Sequence, residues 1–220
     1  MSIRKELGEH LISVLNNRDY SASNHIIGAI SDMRLEFLNQ QEPDWETWQI
    51  RNIYTGTHGL IYKMTGIHEM FSFVFAYYNS QDILWIDDHL YDDDFSNFIK
   101  REQLHHLFYK PDELAQLLVS TKLAYILLPD VVNNISDIPD ARFQQNEDDG
   151  HSILQKLANV IHEPQSIETK GDKNPIEFFI WTKIMGNIFQ LQCYFDEANR
   201  FVYQGKQVAS GMGDYSLGYK

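Results

Sequence analysis

The chain has 220 residues, of which 43% are hydrophobic and 22% are charged, and 31 acidic residues against 18 basic ones give a formal net charge of −13. This length and composition are typical of a globular protein whose core needs no disulfide or metal to hold it together. The acidic excess argues against a protein that binds nucleic acid, because such proteins concentrate lysine and arginine against the phosphate backbone. An acidic chain suits a basic partner, a cation, or solubility alone.

The expected compartment is the cytoplasm, with no membrane contact. Cys193 is the single cysteine, so an internal disulfide cannot form, which fits a reducing compartment. The N-terminal residues carry acids directly after the basic pair and are not followed by a long apolar run, unlike a secretory signal. The longest apolar run, residues 71–78, is too short to span a bilayer.

The N-terminal residues predict a hairpin of two helices. Apolar residues recur with the spacing of one helical face from Ile3 to Leu15, and again from Ile26 to Phe37. The polar connection 16–20 is short, which favours antiparallel neighbours. Residues 44–48, after Pro43, predict one further helical turn.

The middle of the chain changes to the pattern of a sheet. Residues 60–64 and 70–78 are rich in aromatic and branched side chains, and 82–86 read as the returning strand after the turn residues 79–81. Apolar positions from Phe95 to Phe108 then predict a helix.

A second helix of this region is predicted to begin at Pro111, because proline suits the first helical position, and to run to about Thr121. Residues 123–128 are apolar and predict a buried strand. Residues 133–150 are polar and irregular, and apolar spacing from Ile153 to Ile161 predicts a short helix.

The C-terminal third carries the clearest alternation. Apolar and polar residues alternate in 189–195, and similar stretches at 176–181 and 201–208 flank it with turn residues between them. We therefore predict a three-stranded antiparallel meander. Helices separate from such hairpins indicate an α+β fold with helices packed on an antiparallel sheet.

The sequence has no internal repeat and no clean linker, and a single domain over residues 1–220 is expected. Two polar stretches, 144–150 and 165–174, are the places where a boundary between two lobes would fall.

The most unusual stretch is 82–94, which contains six aspartates and His89 but no lysine or arginine. One interpretation is a cation site, because carboxylate oxygens are the ligands that Ca²⁺ and Mg²⁺ prefer. Its ligands would be Asp87, Asp88 and His89. The spacing does not fit an EF-hand loop, since no glycine occupies the turning position and no glutamate closes the loop.

A second interpretation is a surface for a basic protein, in which carboxylates steer association around an aromatic anchor. Its residues would be Trp85, Asp87, Asp88, Tyr91, Asp92 and Asp93. The simplest interpretation is structural: the acids solvate a loop and place negative charge at the positive end of the next helix. We favour this last interpretation for the segment itself.

Common catalytic motifs are missing from the sequence. It contains no dinucleotide or phosphate-binding glycine loop, no nucleophile elbow and no CxxC pair. Glu102 and His105 have the i, i+3 spacing of a helical metal motif, but the motif occurs once. A catalytic site would require the fold to bring His58 or His68 beside Asp87.

These observations predict a binding protein without a cofactor, of the kind in which a small acidic inhibitor or immunity protein neutralises a basic partner. The alternative is a hydrolase-like enzyme that uses a divalent metal held by an Asp/His cluster. The sequence does not indicate the oligomeric state.

Overall fold

A computed structural model describes residues 2–16, 45–66, 72–87, 92–124, 128–139, 154–168, 175–198 and 200–213. The fold is α+β, as predicted, with helices and two antiparallel sheets. The chain divides into two compact units: unit 1 comprises Met1–His105 and Ser120–Ile126, and unit 2 comprises His106–Val119 and Leu127–Lys220. The single-domain expectation for 1–220 stays a prediction.

Unit 1 is built on a four-stranded antiparallel sheet with the strand order β1-β2-β3-β4. In chain order its elements are α1 (Ile3–Asn16), a 3-10 turn (Trp45–Thr47), β1 (Gln49–Thr55), β2 (Leu60–Thr65), β3 (Ser72–Asn79), β4 (Asp82–Trp85) and α2 (Asp92–Arg101). The first helix of the predicted hairpin is confirmed. The second, at 26–37, lies outside the described residues.

The core of unit 1 lies between α1 and the sheet. Leu7 and Leu11, one helical turn apart, are fully buried against residues of β2, β3 and β4, among them Phe73, Phe75 and Trp85. An amphipathic helix has to cover its apolar stripe, and here the inner face of the sheet does so. Helix packing on the sheet is therefore confirmed in unit 1.

Strand β1 was not predicted from the sequence. It pairs with β2, but the register shifts between Asn52 and Tyr54, so that Ile53 forms an irregularity in the strand. An extra residue breaks the alternation of faces that identifies a strand. Most side chains of β1 are also exposed, which removes the apolar signal.

The predicted helix from Phe95 to Phe108 is wrong beyond Arg101. Helix α2 ends there, Gln103 has a φ of 58°, and a separate 3-10 segment, Leu104–Tyr109, follows. A left-handed residue cannot continue a right-handed helix. Glu102 and His105 thus do not share a face of one helix, and the helical metal motif considered above is not formed.

Unit 2 contains the five-stranded antiparallel sheet, in which β5, β7, β8 and β9 are neighbours and β6 also pairs with β7. Its elements are α3 (Pro111–Ser120, whose last residue belongs to unit 1), β5 (Pro129–Val132), a 3-10 turn (Ile135–Asp137), a helical stretch at 154–158, β6 (Gln165–Ser166), β7 (Ile176–Thr182), β8 (Ile188–Phe195) and β9 (Phe201–Ala209). The predicted meander is confirmed as β7-β8-β9.

All seven residues of β7 are buried, so both faces of this strand are covered. On one face Phe179 and Trp181 pack against Leu157 and Ile161 from the segment that precedes β6. The indole Nε1 of Trp181 donates to the carbonyl oxygen of Met212 at 2.8 Å. This bond fixes the end of the described chain to the central strand of the sheet.

The strand predicted at 123–128 is wrong where it can be checked. Residues 121–124 form a turn, closed by a hydrogen bond from the Ala124 amide to the Thr121 carbonyl at 3.1 Å, and the strand begins later, at Pro129. Residues 125–127 lie outside the described part of the chain. No helix among the described residues is long and apolar enough to cross a membrane.

Candidate functional site

The acidic segment begins with an ion pair. Both carboxylate oxygens of Asp82 accept hydrogen bonds from the Arg101 guanidinium at 2.8 Å, and this bonding holds the pKa of Asp82 below its usual value. The same guanidinium lies 3.6 Å from the centre of the Tyr78 ring. Asp82 therefore connects the β3–β4 hairpin to the end of α2, which is a structural role.

Asp87 and Trp85 lie inside unit 1. Asp87 is 0% exposed and Trp85 is 3% exposed. The indole Nε1 of Trp85 donates to Asp87 Oδ1 at 2.5 Å, and its backbone amide donates to Asp94 Oδ2 at 3.0 Å. The bond to Asp94 joins β4 to the first turn of α2. Both side chains are thus enclosed in the fold, and the predicted binding role of Trp85 and Asp87 stays a prediction.

Asp93 is exposed in the first turn of α2, the helix that begins at Asp92. Negative charge at this position is favoured by the helix dipole, in line with the structural interpretation of the segment. Asp88, His89 and Tyr91 lie outside the described residues. The binding surface that includes Asp92 and Asp93 stays a prediction.

The predicted cation site of Asp87, Asp88 and His89 also stays a prediction, since two of its three residues are not described. Within the described ranges, no group of three or more histidine, cysteine, aspartate or glutamate side chains is placed to hold a metal ion. His58 is described, and its backbone amide donates to Glu102 Oε2 at 3.1 Å. His68 is outside the described residues.

Glu102 is a buried acid that the loop between β1 and β2 encloses. It is 3% exposed, and a Cβ atom on Gly56 would lie 2.3 Å from its Oε2 atom. A Cβ on Gly59 would likewise lie 2.6 Å from the Tyr78 ring. Burial, and then the negative charge of Glu102, raises the pKa of Tyr78. Both glycines are needed for the loop to approach these side chains.

A polar cluster of unit 2 surrounds the buried carboxylate of Glu177. Its Oε1 atom lies 3.0 Å from His162 Nε2. Its Oε2 atom accepts from Gln190 Nε2 at 2.9 Å and from Gln192 Nε2 at 2.6 Å. One carboxylate thus contacts His162 and two glutamines of β8. A buried charge requires such partners, because without them its desolvation costs several kcal/mol, about 3–5 when a pair is broken.

His162 uses both ring nitrogens within the protein. Nδ1 lies 2.7 Å from the carbonyl oxygen of Glu163, and because a carbonyl oxygen only accepts, Nδ1 carries a proton. Nε2 faces Glu177 and also lies 3.1 Å from the Gln165 amide. The ring packs edge-on against Phe179, with the centroids 5.0 Å apart. These contacts orient the imidazole ring.

Strand register explains why these residues meet. Gln165 of β6 pairs with Glu177, Glu177 pairs with Gln192, and Gln192 pairs with Gln204 of β9. Directly opposed residues of antiparallel strands point to the same face. The result is a polar row across four strands, with Gln190 beside it on β8. The alternation of apolar and polar residues in 189–195 was evident from the sequence, but it gave no means of placing His162 beside Gln190 and Gln192.

Cys193 is buried on the opposite face of β8 from Gln190 and Gln192, and burial raises the pKa of its thiol. A neutral, enclosed thiol is neither a nucleophile nor a metal ligand.

Comparison with protein-family models, curated proteins and solved structures found no match.

Proposed function

We propose that the protein acts by binding, with a basic protein as its partner. The observation that supports this most directly is the charge of −13, because an acidic surface attracts a basic protein and raises its association rate. Among the described acids, Asp82, Asp87 and Glu177 are engaged in bonds within their own units.

The first turn of α2 is a described part of the acidic segment that is exposed to a partner and is not engaged in the Asp82–Arg101 ion pair. Asp93 is exposed there, whereas Asp87 is enclosed. The test therefore changes Asp93 and leaves Asp87 intact, since removal of a buried carboxylate would disturb the fold itself. Asp112 provides a matched control, because it is an exposed aspartate in the first turn of α3.

The experiment starts with chemical cross-linking and identification of partners, which are then purified. Association rates of the full chain and its variants are measured by stopped-flow or surface plasmon resonance over a range of salt concentrations. A basic partner whose association slows as salt increases, and slows further with Asp93→Asn than with Asp112→Asn, supports the proposal. A rate that is insensitive to both salt and charge removal refutes it.

The alternative function is a metal-dependent, hydrolase-like enzyme using Asp87, Asp88 and His89. Thermal denaturation separates the two functions, because a metal that binds only the folded protein raises its apparent stability. The enzyme hypothesis predicts a higher Tm with Mg²⁺, Ca²⁺, Mn²⁺ or Zn²⁺ and a lower one after EDTA treatment. An unchanged Tm under all of these conditions contradicts it.

A further inference from the structure

The contact between His162 and Glu177 requires a proton. Nε2 of His162 lies 3.0 Å from Glu177 Oε1, and Nδ1 already donates its proton to the carbonyl oxygen of Glu163. When an imidazole carries its single proton on Nδ1, Nε2 has only a lone pair, and an ionised carboxylate can only accept. Two acceptors at hydrogen-bond distance repel each other. One further proton therefore lies on Nε2 of a charged ring or on Oε1 of a neutral carboxyl group.

The neighbouring amides are compatible with both positions of this proton. The Gln165 amide nitrogen, 3.1 Å from His162 Nε2, donates to a neutral ring beside a protonated Glu177. The same amide, when flipped, presents its oxygen to a charged ring. Gln190 and Gln192 donate to Oε2 of Glu177 in either case. The pair thus holds the same number of protons in both arrangements.

The pair attaches a short stretch of chain to the sheet. We call residues 162–168 the docked segment. It contains β6, which has two residues, both exposed, and it is continued by a hydrogen bond from the Ile167 amide to the Pro175 carbonyl oxygen at 2.8 Å. Such a short, exposed ladder buries little apolar surface. The side-chain contact between His162 and Glu177 therefore contributes substantially to holding the segment on β7.

Loss of the proton turns this contact from attractive to repulsive. The side chain of Glu177 is 9% exposed, whereas that of His162 is 32% exposed, so the proton can exchange with solvent at the ring. After deprotonation the Nε2 lone pair faces the buried carboxylate, and the charge-assisted hydrogen bond is lost. Glu177 is fixed in the central part of the sheet, whereas a neutral His162 can move out into water with the docked segment.

Other titratable residues flank the pair in the described part of the chain. They lie on β8, on β9 and on the stretch that precedes β7: Tyr194, Lys206, Lys156, Glu163 and Glu168. Lys206 projects to the same side of the sheet as Glu177, opposite Gln190, and is exposed, as are Lys156, Glu163 and Glu168. Water and salt screen the charges of exposed groups. Glu177 is the ionisable side chain in hydrogen-bond contact with the ring of His162.

We infer that the proton shared by His162 and Glu177 is a pH-sensitive latch that holds the docked segment on β7. The segment is held at low pH, while the pair keeps this proton, and it is released as the pH rises and the proton is lost. Histidine suits such a latch, because its charge changes near physiological pH. The latch lies within unit 2 and does not depend on the proposed protein partner.

The test uses the full chain labelled with ¹⁵N, from about pH 5 to about pH 9. Long-range ¹H–¹⁵N NMR spectra follow the two ring nitrogens of His162. Hydrogen exchange of the Ile167 amide, corrected for the intrinsic exchange rate at each pH, follows the docked segment. The expected result is a fall of about tenfold in Ile167 protection over the pH range in which the ring loses its proton, the effect of losing one charge-assisted hydrogen bond.

Matched variants assign the response to the pair. Glu177→Gln cannot ionise, and its NH₂ group donates to a neutral His162, so the fall in Ile167 protection is expected to disappear. Lys206→Gln removes the charge on the same side of the sheet and is expected to leave the fall in place. If Glu177→Gln does not fold, His162→Gln provides the same comparison, because it has no ring proton to lose.

The measurement on the unmodified chain can overturn the inference by itself. Titration of the His162 ring without any change in Ile167 protection would mean that the proton does not hold the segment. An equal pH dependence in the Glu177→Gln or His162→Gln variant would likewise remove the pair as its cause. Disappearance of the fall in Lys206→Gln would assign it to the lysine instead.

Discussion

Replacement of Glu177 by alanine is expected to destabilise unit 2 by about 3 kcal/mol. The carboxylate accepts from two glutamine amides and pairs with His162, and hydrogen bonds to a charged group contribute about 1.5–3 kcal/mol each. Adding the contributions of three such bonds would overestimate the loss of stability in the alanine variant, because the half-buried partners recover part of their hydrogen bonding from water. The expected loss of about 3 kcal/mol corresponds to one or two such hydrogen bonds.

Glu177→Gln is the matched variant, because it keeps the shape and removes the charge. Its carbonyl oxygen can still accept from Gln190 and Gln192, while its NH₂ group donates to Nε2 of a neutral His162. A loss of only about 1 kcal/mol is expected, the difference between charged and neutral hydrogen bonds.

Native-state hydrogen exchange of the β8 amides measures both losses locally, within unit 2. The proposed role of the Glu177 carboxylate is refuted if alanine and glutamine cause equal losses, or if the alanine variant loses less than about 1 kcal/mol.

Three further changes test other contacts. Gly56→Ala is expected to cost about 1–3 kcal/mol, because the new methyl group overlaps Glu102, and Glu102→Ala in the same chain should relieve most of that cost in urea denaturation. Asp82→Asn should cost less than about 1 kcal/mol, since the pair with Arg101 is exposed to solvent. Because folding lowers the Asp82 pKa, the contribution of this pair is present above about pH 4 and is lost as the pH falls through the folded pKa. Cys193 should resist alkylation in the native protein and react after unfolding in urea.

Each of these changes has a direct control. If Gly56→Ala costs the same with and without Glu102, the overlap with the carboxylate is not the cause. Asp93→Asn removes an exposed aspartate, so a pH dependence identical to that of Asp82→Asn would argue against the ion pair with Arg101. Rapid alkylation of Cys193 under native conditions would contradict its burial.

The meander was predictable because its signal, the alternation of apolar and polar residues, lies within each strand. In β8 the buried positions Phe189, Leu191 and Cys193 alternate with the half-buried Gln190 and Gln192, and this period of two identifies a strand with one covered face. The neighbouring strand β7 shows the limit of the method. Its seven buried residues show that both faces are covered, but apolar spacing does not identify what covers them.

The errors occurred where one residue changes the backbone geometry. Ile53 breaks the alternation of β1, and Gln103, with its positive φ, ends the helix that apolar spacing had extended. The sequence does not indicate the left-handed conformation of Gln103, because glutamine rarely adopts it. Positions of this kind depend on tertiary packing rather than on local preference.

The two candidate sites also differ in how far the sequence predicts them. Composition identified the acidic segment, but only the structure shows that Asp82, Asp87 and Asp94 bond to Arg101 and Trp85 within unit 1. The cluster around Glu177 is formed by strand register over a long stretch of chain. Composition carries no signal of that kind.

The tryptophans are divided unequally between the two units. Trp45, Trp48 and Trp85 belong to unit 1, where their rings form a continuous series with Phe73, and Trp181 belongs to unit 2. These are all four tryptophans of the chain. A Trp181→Phe variant would therefore emit only from unit 1, so that fluorescence and β8 hydrogen exchange would report on different units of one intact molecule. Coincident unfolding by the two signals would mean a single cooperative domain, and separate transitions would mean two.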